Sequence, residues 1–141
     1  MAFAGINYLA VVCAALASWL IGALWYSAFA RPWMLALGKT RAELLGPSGK
    51  ASPLPFVVAF LAQLVMAWVL AGIVGHLGAG QVTLANGVVS GFFVWLGFVV
   101  TSQVVNHGFS GQRLMLTVID SGHWLAALVI QGAIIGLFGA R

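Results

Sequence analysis

The sequence predicts an all-α integral membrane protein, a four-helix transmembrane bundle with a short interfacial helix in its first loop, and three observations carry that expectation. Four apolar segments recur along 141 residues, each about as long as a hydrocarbon core is thick. Charged residues make up only 6% of the chain and hydrophobic ones 62%, too few charges to wet the surface of a soluble domain. No segment alternates with period two, so backbone groups that lipid cannot satisfy must be paired inside helices rather than barrel strands. At this length, residues 1–141 are expected to form one four-span unit with no separate soluble domain.

The first span is expected over Tyr8–Phe29. Ala28-Phe29-Ala30 resembles a signal-peptidase site, but no Lys or Arg precedes the apolar stretch, and the stretch exceeds a signal core. The loop that follows, from Ala30 to Pro53, has structure of its own. Pro32, Trp33, Met34 and Leu37 suit the membrane interface, where tryptophan anchors gather. Thr40-Arg41-Ala42-Glu43 reads as a capping box opening a short helix, and Gly46-Pro47 closes it. Spans two, three and four are expected over Leu54–Gly75, Val82–Val105 and Leu116–Phe138.

Loop charge predicts orientation. Arg31, Lys39, Arg41 and Lys50 sit in the first loop against Glu43, and Arg113 sits in the third link, Asn106–Arg113. The second link, His76–Gln81, has no Lys or Arg. Basic loops stay in the cytoplasm, which puts both termini outside. Arg141 opposes this mildly, beside the C-terminal carboxylate. The net charge of +4 is topological on this reading; it forms no basic stripe for nucleic acid. The single Cys13 lies within an apolar helix and reads as a small packing residue.

Small residues recur every four positions: Ala10, Ala14, Ser18 and Gly22 on the first span; Ala67, Ala71 and Gly75 on the second, below Gln63. Gly87 and Gly91 mark the third, and Gly132 and Gly136 the fourth. Such rows let helix backbones approach closely where lipid gives no hydrophobic drive. They serve packing within one bundle, or they give a face for a homodimer, another homo-oligomer or a larger membrane complex. Gln63 is expected to hydrogen-bond between helices, and the six tryptophans to form belts and packing.

Chemistry concentrates on Asp120, one of only two acidic residues, set in an apolar run. An ionisable residue in a span is the default place to look for function. His123 follows one helical turn later, and Tyr26, Gln103, Asn106 and His107 fall at a similar depth near the cytoplasmic side. Three readings stand. Asp120 with His107 or His123 shares a proton, as in a proton relay or the coupling site of a small translocator. His107, Asp120 and His123 ligate a metal, although their spacing matches no metal motif. Or Thr117-x-x-Asp120 is a capping box, the last helix begins near Val118, and Asp120 is an ordinary first-turn acid. No phosphate loop, nucleophile elbow, CxxC pair, haem site or HExxH helix is present, so an enzyme reading is poor, and any cofactor is left open. An accessory subunit docking through its helix faces is the alternative to a translocator.

Gly22-Ala23-Leu24-Trp25-Tyr26-Ser27, followed by Arg31-Pro32-Trp33-Met34 and Gly38, resembles a bacterial family of small four-span membrane proteins, the domain of unknown function 1761. Trp95-Leu96-Gly97-Phe98, Asn106-His107 and Phe109-x-Gly111 look like that family's third span and loop. Here Ala28 stands where the family usually has proline. The resemblance implies fold and location and brings no activity, substrate or catalytic residue.

Overall fold

The computed structural model describes residues 5–140, so Arg141 lies outside the described residues. Helices α1 (Tyr8–Ala28), α2 (Ala30–Leu37), α3 (Arg41–Leu45) and α4 (Leu54–Gly75) make the first half. The second half is α5 (Leu84–Val94), a π-helical stretch over Trp95–Val100, α6 (Thr101–Phe109) and α7 (Leu114–Phe138). Helix α5, the π stretch and α6 run on as one span, Leu84–Phe109. With α1, α4 and α7 it gives four helices long and apolar enough to cross a membrane.

The helix ends follow local chemistry. The Asn7 side chain accepts the Ala10 amide and opens α1, and Thr83 does the same for α5 through the Asn86 amide. Thr40 and Glu43 form the expected reciprocal capping box on α3. Those bonds from the Thr40 amide and hydroxyl hold the Glu43 carboxyl below its ordinary range. Gly38 ends α2 at φ +72°, a left-handed conformation that glycine adopts without strain.

Two boundaries differ from expectation, and both bear on the site. The third span continues through Asn106, His107 and a helical Gly108 to Phe109, and the chain turns only at Gly111, whose φ is +67°. The fourth helix begins at Leu114, not near Val118. Thr117 is therefore a full turn inside α7, and its hydroxyl lies 2.9 Å from His107 Nδ1 instead of capping an amide. The capping-box reading of Asp120 falls with it.

Helix α7 is central, packed on α1 along one side and on α5 along the other, with α4 lying against α1. The α5–α7 crossing is the closest approach. A Cβ on Gly87 would stand 1.9 Å from the Gly132 carbonyl oxygen, and one on Gly132 would stand 2.0 Å from that of Gly87. Gly91 faces the Leu128 carbonyl and Gly136 the Thr83 carbonyl in the same way. Only glycine permits this separation. Ala14 and Ser18 of α1 and Ala67 and Ala71 of α4 are likewise buried inside the chain. Most of each small-residue row thus faces a neighbouring helix of the same molecule.

The core of α1, α4 and α7 holds a polar knot. Gln131, wholly buried, donates through Nε2 to Ser18 Oγ at 2.9 Å and to the Gln63 side-chain and main-chain oxygens at 2.8 and 3.2 Å. Gln63 makes the interhelical bond expected of it. Its partners on α7 and α1 are what sequence alone did not identify.

Candidate functional site

Asp120 lies about 9 Å along α7 from Leu114 at 1.5 Å per residue. It is half-buried. Its Oδ1 accepts two hydrogen bonds, from the Tyr26 hydroxyl of α1 at 2.8 Å and from the Trp33 indole N–H of α2 at 3.2 Å. Among the described residues no lysine or arginine pairs with it. A carboxylate in an apolar helix is costly unless something compensates its charge. Two neutral donors on one oxygen do so in part.

The backbone on both sides of Asp120 is clamped as well. Trp25 of α1 donates to the Ile119 carbonyl at 3.0 Å, and Trp95, at the start of the π stretch, donates to the Ser121 carbonyl at 2.7 Å. A carbonyl has two lone pairs, so each oxygen can serve the helix and the indole together. Glycines admit the rings: a Cβ on Gly122 would stand 2.8 Å from Trp25 Cζ2. The apolar surroundings, the indole N–H groups and Gly122 together hold this turn of α7. Carbonyls of Gly97 and Phe98 in the π stretch accept the hydroxyls of Thr101 and Ser102, the same i to i−4 bond that Ser27 makes to Ala23 on α1.

His123 is 5% exposed, and both of its ring nitrogens are buried without a hydrogen-bond partner. Its ring lies against Tyr26 at 5.1 Å and Trp124 at 4.7 Å between centroids. It is seated on Gly22, where a Cβ would stand 2.8 Å from Nε2. Burying unmatched polar atoms costs roughly 1–3 kcal/mol each.

Of the expected site residues, the structure brings together Asp120, Tyr26 and His123. His107 is bonded to Thr117, one turn before Asp120, and not to Asp120 itself. Gln103 is half-buried with an unpartnered Oε1, while Asn106 is exposed and its carbonyl accepts the Ser110 hydroxyl. No hydrogen bond joins either to Asp120. Nor do His107, Asp120 and His123 form a metal-holding group; among the described residues no cluster of three His, Cys, Asp or Glu does. Trp33 and Trp95, expected only as belt and packing residues, join Trp25 at the site. Their signal was the need of every indole N–H in an apolar setting for an acceptor.

The site continues along one seam. His123, Ala127, Gln131 and Ile135 repeat every fourth residue on α7 and are all buried. Ser18, Gly22 and Tyr26 repeat likewise on α1 and meet Gln131, His123 and Asp120 in turn. At the far end a cavity of about 230 Å³ is lined by Asn7, Ala10, Ala71, Gly75 and Ile135. The α1–α7 seam therefore carries, in order, that cavity, the glutamine knot, His123 and Asp120.

The family motif can now be read in atoms. Gly22 seats His123, Trp25 and Tyr26 reach α7 at Ile119 and Asp120, and Trp33 completes the contact from α2. No curated protein and no solved structure matches the chain. The family described as "Protein of unknown function (DUF1761)" matches over residues 9–136, nearly the whole sequence, and the chain belongs to that family.

Proposed function

We propose that this protein is a multi-pass protein of the bacterial inner membrane that acts as a small proton-linked translocator, with Asp120 as its proton acceptor. One observation carries the reading: Asp120 is a half-buried carboxylate in an apolar helix, with neutral donors on one oxygen and, among the described residues, no lysine or arginine paired to it. Such a group gains most from binding a proton or another cation. His123, one turn on and without hydrogen bonds, is the second proton-accepting group on the seam. Arg31, Lys39, Arg41, Lys50 and Arg113 flank the Asp120 end, which favours placing that end in the cytoplasm and both termini in the periplasm.

Proteoliposomes holding a pH-sensitive dye test the reading. Under an imposed pH gradient the wild-type chain should pass protons, and Asp120→Asn should slow that flux about tenfold or more. Equal flux in the two would contradict it.

One observation favours a second reading, a subunit that docks to a second copy or to a larger complex. Only 6% of the most apolar stretch of the third span is buried within the chain, leaving Phe92, Phe93, Leu96 and Phe98 exposed. Cross-linking in native membranes through cysteines placed on that face separates the cases: lipid alone as neighbour gives no cross-linked product.

A further inference from the structure

We propose that the open side of the Asp120 carboxylate binds an organic ammonium ion in competition with the proton. The inference rests on Asp120 as proton acceptor and gives that reading a substrate class.

Geometry leaves one oxygen available. Tyr26 and Trp33 both donate to Oδ1, and no described protein group donates to Oδ2. The charge is available too. From α1 the titratable neighbour is Tyr26, and from α7 it is His123. On α6, His107 is taken by Thr117, and Arg113, in the link before α7, donates to the Leu35 carbonyl at 2.9 Å. From α2 the neighbour is the neutral Trp33 indole, while Arg31 of that helix is exposed and unpaired with Asp120. No fixed cation on any of these elements neutralises Asp120.

The surroundings select the kind of cation. Calcium takes about six to eight oxygen ligands. Softer metals need several nitrogen, sulfur or carboxylate ligands, and no group of three His, Cys, Asp or Glu exists among the described residues. The groups about Asp120 are instead rings: Tyr26 and Trp33, which both bond it, lie 5.6 Å apart between centroids, and His123 packs on Tyr26 at 5.1 Å. Aromatic rings receive the carbon substituents of an ammonium ion and attract its charge. A single carboxylate supplies the counter-charge. Binding to the protonated site breaks the Asp120 O–H bond, pairs the carboxylate with the ammonium ion and sends one proton to solvent.

The test uses the full chain in lipid nanodiscs, weakly buffered, with a pH indicator, and tetramethylammonium chloride as the probe against sodium chloride at equal ionic strength. Wild type should release protons, saturably and up to one per chain, on tetramethylammonium and not on sodium. Asp120→Asn should release none. Trp33→Leu should weaken the half-saturating concentration about tenfold, and Trp33→Phe, which keeps a ring, less. Should the tryptophan variants fail to fold, wild type and Asp120→Asn still decide. No release from a wild-type chain whose Asp120 does titrate overturns the ammonium proposal and leaves the proton acceptor standing. Equal release with sodium overturns it as well. A chain in which Asp120 never titrates overturns the proton-acceptor reading and the exchange together.

Discussion

Tyr26 illustrates how much one side chain holds at this site. It gives Asp120 a hydrogen bond at 2.8 Å and packs its ring on His123. Tyr26→Phe keeps the ring and deletes the bond, so it should destabilise the chain by about 1.5–3 kcal/mol, the range for hydrogen bonds to charged groups. Denaturation in mild detergent checks this, and an unchanged midpoint would show the bond to be idle. Gly22→Ala acts from the other side: its Cβ would meet His123 Nε2 at 2.8 Å, and overpacking of this kind costs about 1–3 kcal/mol. Asp120, Tyr26 and His123 were legible in the sequence because a charge in an apolar run is an anomaly and helical spacing finds its neighbours. Trp33 was not, since an interfacial tryptophan has an ordinary explanation and its acceptor lies 87 residues away. His107 bonds Thr117 and not Asp120, and depth alone cannot tell those two apart, one turn from each other.

Among elements, the pairing of α5 with α7 depends on four glycines. Gly132→Val would drive a side chain into the Gly87 carbonyl and force the helices apart, lowering stability by about 1–3 kcal/mol or more. Gly97→Ala, whose Cβ would meet nothing within 4 Å, should stay within about 0.5 kcal/mol of wild type. Similar losses at both positions would count against the close crossing. The spacing of these glycines was readable in advance. Which helix each row would meet was not, because a row of small residues gives closeness without naming the partner. The start of α7 was missed for a related reason: Thr117-x-x-Asp120 satisfies the capping pattern, yet the helix had already begun and His107 had claimed the hydroxyl.

Across the whole molecule, one seam links a cavity at one end to Asp120 near the other through Ser18, Gln63, Gln131 and His123. Gln131→Leu should cost about 1–2 kcal/mol by leaving Gln63 without its donor. The double variant with Gln63→Leu should cost less than the sum of the two single ones, since it removes both partners together. The proposed orientation predicts that an impermeant thiol reagent reaches Ser48→Cys only from the cytoplasmic side and Ala79→Cys only from the periplasmic side, in a Cys13→Ala background. The central claim, that Asp120 takes up a proton, is tested most directly by infrared difference spectroscopy of the chain in lipid as pH is changed. With only two acidic side chains in the sequence, the carboxyl region is simple to read. Wild type should gain a protonated-carboxyl band on acidification that Asp120→Asn lacks while the Glu43 signal persists; identical spectra from the two would contradict the account.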